Sequence, residues 1–300
     1  MCFPGQGSQQ PNMAIDLYNY SSKVKELFHL ASDISHLDLH KILVEGDLNL
    51  LKQTEVAQNA IILASLSCFI LLKEKGIDPL VTAGFSLGEL MALRASETIS
   101  DETLFHLIHK RSSLMAQYSS QATKEYGEMA MAAIINLDKA SVEKIIEDSM
   151  FNNIFVANDN TQKQVVISGV KEEIESLIPY LKENGARRVV MLKVSGPFHT
   201  PLLKEAENKF DEYLNQTKFK VPKALVYSNV TGSIEENMRS LIPKQITNQV
   251  QWLSIMKDIN KKFENVKIYE VGVSKTLSSF FKSENMICTP CGTVDQIEGL

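Results

Sequence analysis

The 300-residue chain is poor in cysteine, histidine and tryptophan, with four, six and one of them, and acidic residues outnumber basic ones. Four cysteines do not provide the disulfide framework of a small secreted protein. A net charge of −5 argues against sequence-independent binding to nucleic acid or to an anionic membrane surface. We therefore expect no nucleic-acid or membrane partner. The six histidines leave few candidates for a general base.

Long hydrophobic runs are also missing. The longest apolar stretch, residues 60–72, has thirteen residues and is flanked by Gln58 and Lys73, whereas a transmembrane helix needs about 20. Near the start, the turn-forming residues 4–7 interrupt any apolar region of a signal peptide. We therefore expect a buried core helix over residues 60–72 and a cytoplasmic location.

Two of the cysteines share the spacing of a thioredoxin-type redox pair, Cys288-Thr-Pro-Cys291. Such a pair needs its first cysteine at a helix N-terminus within a small βαβ unit, and little chain follows residue 291 to build one. A zinc site would need a second pair of ligands close by, and the sequence offers none. We expect structural or incidental cysteines and no metal site.

Hydrophobic patterning predicts an α/β fold with an inserted unit. At 44% hydrophobic residues the chain can bury a large core. Residues 127–194 follow the order strand, helix, strand, strand, helix, strand, which is the order of a ferredoxin-like unit. Within it we expect a turn at residues 158–162 and a last strand over 187–194. The predicted domains are thus a catalytic part, residues 1–126 and 195–300, and a ferredoxin-like subdomain, residues 127–194.

The sequence Gly84-Phe-Ser-Leu-Gly-Glu89 places a serine between two glycines where an apolar strand becomes a helix. A sharp strand-to-helix corner exposes its central side chain, and flanking glycines leave room for close backbone packing. The helix N–H groups beside the corner can stabilise a developing oxyanion. The pattern therefore predicts that Ser86 is a nucleophile.

His199 is the candidate base for that serine. It follows the turn 194–198 and precedes Thr200-Pro201, which predict the start of a helix ending near residue 214. The positive end of the helix dipole favours the neutral imidazole that a base requires. A turn histidine without catalytic function is the alternative. The other histidines are interpreted as solvated side chains: His29, His36, His40, His106 and His109.

An arginine interrupts the apolar stripe of the helix predicted from Ser100. Arg111 follows Leu107 and Ile108 on that stripe. An arginine there must extend to solvent or pair with a buried anion. The alternatives are a structural ion pair and a clamp for a substrate carboxylate, which guanidinium geometry suits.

Six motifs in a fixed order carry a family resemblance. They are Gly5-Gln-Gly-Ser-Gln9, Gly84-Phe-Ser-Leu-Gly-Glu89, Arg111, Gly196-Pro-Phe-His199, Val250-Gln-Trp252 and Tyr269-Glu-Val-Gly272. Together they resemble the malonyl-CoA:acyl carrier protein acyltransferases from residue 3 to about residue 280. The resemblance implies an α/β-hydrolase-like catalytic subdomain with a ferredoxin-like insert, and it implies acyl transfer without a cofactor.

The resemblance also implies a function for each site residue. Ser86 would be the nucleophile, His199 its base, and Gln251 the residue whose backbone orients the histidine. The backbone N–H groups of Gln6 and Leu87 would form the oxyanion hole. Arg111 would hold the malonyl carboxylate. The implied substrates are malonyl-CoA, a coenzyme A thioester, and a holo acyl carrier protein, which accepts the malonyl group on its phosphopantetheine thiol for fatty-acid or polyketide synthesis.

Position 198 bears on the choice of acyl group. In similar polyketide acyltransferases an aromatic residue before the catalytic histidine accompanies malonyl selection, so Phe198 implies exclusion of methylmalonyl. The sequence departs from the family pattern at Phe85, where bacterial members usually have histidine, and at residues 273–274, where they have Pro-Gly. The N-terminal strand is also short. The candidates for a basic surface that meets the acidic carrier are Lys182, Arg187, Arg188 and Lys193, although solvated surface charges would give the same pattern.

Two other functions fit parts of the pattern. A hydrolase would use the same Ser86–His199 pair and pass the acyl group to water, but a carboxylate clamp at Arg111 suits transfer better. A catalytically silent docking protein would bind the carrier and perform no chemistry. An intact nucleophile and base argue against it.

Overall fold

The computed structural model describes residues 1–194 and 196–300, which form two β-sheets with helices packed around them. The nine strands of the described residues are β1 Cys2–Phe3, β2 Val81–Gly84, β3 Met129–Ile135, β4 Ile154–Thr161, β5 Gln164–Val170, β6 Arg188–Met191, β7 Leu225–Val226, β8 Ile268–Val271 and β9 Cys288–Cys291. The larger sheet has five parallel strands in the order β7-β2-β1-β8-β9.

The helices supply most of the packing around this sheet. They are α1 Ile15–Tyr20, α2 Ser22–Ser35, α3 Leu39–Glu45, α4 Thr54–Glu74, α5 Gly88–Ala95, α6 Asp101–Tyr126, α7 Lys139–Glu147, α8 Lys171–Glu183, α9 Lys204–Leu214, α10 Trp252–Lys262, α11 Thr276–Ser283 and α12 Val294–Glu298. Short 3₁₀ turns occur at Pro201–Leu203, Met238–Ser240 and Pro243–Ile246.

Helix α4 is the apolar helix that the composition predicts. It is long and apolar enough to cross a membrane by length and composition, but 89% of its apolar window is buried inside the structure. It packs against α2 and α6 in the main core. Its lack of a polar face therefore reflects a position in the protein core, since a helix that is hydrophobic all round is buried. Helix α6 begins as predicted, with Ser100 Oγ accepting from the Thr103 N–H at 3.2 Å.

The smaller sheet has four antiparallel strands in the order β4-β5-β3-β6. Its elements follow the predicted order of strand, helix, strand, strand, helix, strand from β3 to β6. Helices α7 and α8 cover it and enclose a separate hydrophobic core. A bridge between Asn158 on β4 and Val250, just before α10, connects this sheet to the rest of the chain.

Several predicted boundaries are wrong. The expected turn at residues 158–162 is mostly strand, because β4 continues to Thr161 through two register shifts and is buried against α10. Strand β6 covers Arg188–Met191 and not the whole of 187–194. The helix expected from Thr200 begins with a 3₁₀ turn and becomes α-helical at Lys204. The predicted domain boundary at Ser195 lies outside the described residues.

The Cys288–Cys291 motif forms strand β9, which the sequence analysis did not predict. It pairs with β8 at the edge of the larger sheet, where a proline can sit without disturbing the ladder. Both cysteines are buried and free, and burial raises the pKa of the Cys291 thiol to about 12. An extended, desolvated pair of this kind does not have the helix N-terminal setting of a redox-active thiolate.

Candidate active site

Ser86 lies at a sharp corner between β2 and α5, with a backbone φ of 51°. That left-handed conformation is costly for a residue with a side chain. Two glycines make the corner possible. A Cβ on Gly84 would stand 1.9 Å from the Gly88 carbonyl carbon, and one on Gly88 would stand 2.2 Å from the Phe3 oxygen. The corner therefore requires glycine on both sides of the serine.

His199 contacts this serine directly. Its Nε2 lies 2.7 Å from Ser86 Oγ, and the histidine is buried, with a backbone φ of 61°. Burial, and then the positive charge of Arg111, lower the pKa of His199 to about 4. The imidazole is therefore neutral at physiological pH, which is the form that accepts a proton.

The ring of His199 is oriented by two backbone carbonyls. Its Nδ1 lies 2.8 Å from the Gln245 oxygen and 3.2 Å from the Asn248 oxygen. Because a carbonyl only accepts, Nδ1 carries the proton, and the Nε2 lone pair faces the Ser86 hydroxyl. These carbonyls take the position of the acid in a serine triad.

The prediction that Gln251 orients the histidine is therefore wrong. The Gln251 side chain donates to the Val230 oxygen at 2.9 Å, and its backbone N–H donates to the Asn229 oxygen. Gln251 is the first residue before α10, and the carbonyls that reach the imidazole lie three and six residues earlier, at and after the 3₁₀ turn Pro243–Ile246.

Two further side chains hold the strained serine, and sequence reasoning missed both. Asn229 Oδ1 accepts from the Ser86 N–H at 2.7 Å, and its Nδ2 donates to the Gly84 oxygen. Gln245 Nε2 donates to the backbone carbonyl oxygen of Ser86 at 2.5 Å. A polar run directly after an apolar strand, as in residues 227–232, is the signal that could have indicated Asn229, because ligands collect at the carboxyl ends of parallel strands.

The two backbone N–H groups predicted for an oxyanion hole are available. Within the described ranges, the N–H groups of Leu87 and Gln6 donate to no protein acceptor. Leu87 is the residue before α5, so its N–H lies at the positive end of the helix dipole. The loop that carries Gln6 packs so closely on the corner that a Cβ on Gly5 would stand 2.5 Å from the Phe85 backbone oxygen.

Arg111 is buried, and within the described part of the chain its hydrogen-bond partners are neutral amide groups. It is 2% exposed, and it donates from Nη1 to Gln58 Oε1 at 2.8 Å and from Nη2 to Gln245 Oε1 at 2.7 Å. Burial lowers its pKa to about 10, which leaves it charged at neutral pH. A buried guanidinium held by amide oxygens retains N–H groups and charge for an incoming carboxylate.

Ser86 and His199 open into a cleft of about 560 Å³ between the two sheets. Residues from the smaller sheet line one side of it: Met131, Ala133, Asn158, Asn160, Gln164 and Val166. Phe198 lines it beside His199 and is 5% exposed. Phe85 also lines it and packs edge-on against Trp252, with ring centroids 5.5 Å apart. At position 85 this cleft thus has an apolar wall.

Among the described residues, the remaining candidates do not line this cleft, apart from Lys193. His29, His36 and His106 are exposed, whereas His40 and His109 are half-buried, with His40 packed on Tyr18. Among residues 1–194 and 196–300, no cluster of three or more His, Cys, Asp or Glu side chains could hold a metal ion. The four basic residues Lys182, Arg187, Arg188 and Lys193 are exposed, and Lys193 lines the cleft.

Comparison with known proteins gives one consistent result. A family model described as the acyl transferase domain matches residues 1–266. A malonyl CoA-acyl carrier protein transacylase of Bacillus subtilis (strain 168) is 35% identical over 289 residues, which are 94% of this chain and 89% of that protein. The protein of that name from Staphylococcus aureus (strain MRSA252) is 33% identical over 304 residues, covering 99% and 96%.

Solved structures of similar proteins have the same fold along nearly their whole length. A malonyl-transacylase in complex with a type II PKS acyl-carrier protein superposes with a TM-score of 0.92 at 30% identity, covering 99% of this chain and 97% of that one. The malonyl-CoA:acyl carrier protein transacylase of Helicobacter pylori gives a TM-score of 0.91 at 30% identity, covering 99% and 95%.

Proposed function

This chain belongs to the acyl transferase family, among the malonyl CoA-acyl carrier protein transacylases, and we propose that it transfers malonyl groups through an ester on Ser86. The observation that carries the proposal is the 2.7 Å contact between Ser86 Oγ and His199 Nε2 at the cleft between the two sheets. A neutral histidine oriented by carbonyls is a competent base for a serine nucleophile.

In the first half of the reaction, His199 takes the hydroxyl proton while Ser86 Oγ attacks the thioester carbonyl of malonyl-CoA. The carbonyl oxygen becomes an oxyanion, which the Leu87 and Gln6 N–H groups stabilise. Removing one donor of this kind typically raises a barrier by about 3–4 kcal/mol. The intermediate then collapses, the C–S bond breaks, and the proton on His199 passes to the leaving coenzyme A thiolate.

In the second half, the phosphopantetheine thiol of a holo acyl carrier protein replaces coenzyme A. His199 takes the thiol proton, the sulfur attacks the malonyl ester, and the C–O bond to Ser86 breaks as the proton returns to Oγ. The two halves use the same groups in reverse order, so one base and one oxyanion hole serve both. Serine and histidine supply the nucleophile and the proton transfers, so the proposed chemistry calls on no cofactor or metal.

Arg111 is the proposed anchor of the malonyl carboxylate. A charged guanidinium with N–H groups to spare can take that carboxylate with two charge-assisted hydrogen bonds. Acetyl has no carboxylate, so it would leave the buried charge unpaired. That asymmetry is the physical basis of selection for a dicarboxylic acyl group.

The hydrolase alternative differs in where the acyl group goes, and this difference tests the proposal. With malonyl-CoA and a holo carrier protein together, we expect the malonyl group on the carrier and little free malonate. With malonyl-CoA alone, we expect free malonate to appear slowly compared with transfer. Equal rates of malonate release with and without carrier would instead identify a hydrolase. A protein that produced neither would be the silent docking protein.

Phe198 is the proposed barrier to a methyl branch on the acyl group. It is buried in the cleft wall beside His199, and its ring packs so closely on Gly196 that a Cβ there would stand 2.6 Å from Phe198 Cε1. Phe198→Ser should therefore raise methylmalonyl turnover about tenfold relative to malonyl, because the freed volume admits the α-methyl. Phe198→Tyr keeps the ring and should leave that ratio unchanged. A Phe198→Ser variant with the wild-type ratio would contradict this function of the residue.

We also propose the finer domain organisation. An α/β-hydrolase-like catalytic subdomain would comprise residues 1–126 and 195–300, and a ferredoxin-like subdomain residues 127–194. A separate sheet and a hydrophobic core built from residues 130–186 alone support this division, as does Gly127, which follows the last residue of α6 with a φ of 103°. The proposed location is the cytoplasm.

A further inference from the structure

A buried carboxylate lies three residues after the nucleophile. Glu89, in the first turn of α5, is 1% exposed. Its Oε1 accepts from the Asn229 N–H at 2.9 Å and its Oε2 from Gln245 Nε2 at 2.6 Å. Burial raises the pKa of Glu89 to about 7, while these hydrogen bonds and the charge of Arg111 oppose the rise. The proposed reaction makes no use of this carboxylate, so its position needs another explanation.

Gln245 connects Glu89 to each reacting part of the site. Its Nε2 donates to Glu89 Oε2 and to the backbone carbonyl oxygen of Ser86. Its Oε1 accepts from Arg111, and its backbone oxygen accepts from His199 Nδ1. One residue thus contacts the nucleophile's backbone and the cation through its side chain, and the base through its backbone oxygen.

The two ends of the Gln245 amide have nearly the same shape but opposite hydrogen-bonding character. An ionised carboxylate only accepts, and a guanidinium only donates. An amide between Glu89 and Arg111 therefore has one satisfied orientation, with its NH₂ group toward Glu89 and its oxygen toward Arg111. If Glu89 could also donate, the amide could rotate and present its NH₂ group to Arg111, where two donors would repel each other.

We infer that Glu89 is a positioning residue for malonyl selection: it fixes the Gln245 amide so that the amide oxygen holds Arg111 in line for the substrate carboxylate. The inference rests on the proposed function, since it concerns how Arg111 is aimed. It makes acyl selectivity depend on a carboxylate that does not itself touch the acyl group.

The test compares Glu89→Gln with the wild type for two donors, malonyl-CoA and acetyl-CoA. In the variant, the amide oxygen at position 89 accepts from the Asn229 N–H, so the NH₂ group of that amide faces Gln245 Nε2. Two donors then face each other, and one of them has no acceptor. We expect kcat/KM for malonyl-CoA to fall about 100-fold and that for acetyl-CoA about tenfold, because the acetyl group makes no use of Arg111. The malonyl-to-acetyl ratio should therefore fall about tenfold.

Two variants serve as controls. Glu102→Gln removes the same charge from an exposed position in the first turn of α6 and should leave both rates unchanged. Glu89→Asp keeps an acceptor-only carboxylate on a shorter side chain, so it should lower both rates together and retain most of the malonyl-to-acetyl ratio. A purely structural function of Glu89 would lower the two rates equally in Glu89→Gln, and that result would overturn the inference.

The wild type provides a test that does not depend on the variant folding. The charged and titratable groups that face Glu89 are Arg111 from α6 and, beyond Gln245, His199. Arg111 keeps its charge between pH 6 and 8, and His199 stays neutral there. Glu89 gains a proton as the pH falls through about 7, so the malonyl-to-acetyl ratio should fall several-fold from pH 8 to pH 6. Both donors carry the same coenzyme A, so its titration cancels in the ratio. A constant ratio would overturn the inference.

The failure of this inference and of the proposed function can be distinguished. If the wild type formed no malonyl carrier at all, the proposed function would fail, and with it the premise about Arg111. If the wild type and Glu102→Gln transferred malonyl normally while Glu89→Gln kept the wild-type ratio, only the positioning by Glu89 would be refuted.

Discussion

Ser86→Ala should lower malonyl transfer to the carrier protein by about 10⁴-fold or more, since the reaction would lose its nucleophile. His199→Ala should cost about as much, because the hydroxyl then lacks a base. The double variant should be little worse than either single one, since the two groups act as a unit. The measurement is the initial rate of malonyl-carrier formation at saturating malonyl-CoA.

Ser120→Ala is the matched control for this experiment, because Ser120 is exposed on α6. It should transfer malonyl at the wild-type rate. Retention of more than a few per cent of activity by Ser86→Ala would mean that another group accepts the acyl chain. Strongly additive losses in the double variant would mean that Ser86 and His199 do not act in the same step.

Arg111→Ala should lower kcat/KM for malonyl-CoA by about 10³-fold and leave acetyl-CoA almost unaffected, so that acyl selectivity largely disappears. The size follows from losing two charge-assisted hydrogen bonds to the substrate carboxylate, each worth about 1.5–3 kcal/mol. Arg111→Lys should be intermediate, because an ammonium keeps the charge but cannot form the paired contact. Steady-state kinetics with both donors measure the effect.

A neighbouring cation controls for charge and for helix stability in this experiment. Lys110 lies next to Arg111 on α6 and packs over the Tyr213 ring. Lys110→Ala should leave the malonyl-to-acetyl ratio at the wild-type value. Equal losses for the two acyl donors in Arg111→Ala would show that the arginine supports the fold and does not bind the carboxylate.

The sequence predicted those parts of the site whose determinants are local. The strand, the two glycines and the following helix around Ser86 lie within about fifteen residues, so their pattern indicates the corner directly. His199 likewise stands between a turn and a helix start. Arg111 was recognisable because a charge on an apolar stripe conflicts with its surroundings.

The parts of the site that the sequence mispredicted or missed depend on contacts between distant segments. The carbonyls that orient His199 come from Gln245 and Asn248, in and after a short 3₁₀ turn that has no hydrophobic periodicity, whereas the motif pointed to Gln251. Asn229 and Glu89 contact the site only after the loop following β7 folds onto α5. No local pattern reports such a contact.

Tertiary contacts also give two segments a secondary structure that the sequence did not predict. Residues 158–161 are polar and typical of a turn, yet pairing with β5 and the bridge to Val250 keep them in a strand. Strand β9 lacks alternation and contains Pro290, which fits the edge of a sheet because one side of the strand needs no partner. Propensity predicts such segments poorly because their neighbours determine their conformation.

The central claim is that the malonyl group passes through an ester on Ser86, and the mass of the intact protein tests it most directly. A brief exposure to malonyl-CoA should add one malonyl group to the wild type and none to Ser86→Ala. Addition of holo acyl carrier protein should then remove the adduct from the enzyme and place it on the carrier. Two results would contradict the account. One is a malonyl adduct that also forms on Ser86→Ala. The other is a wild-type adduct that decays to free malonate at the same rate with and without carrier.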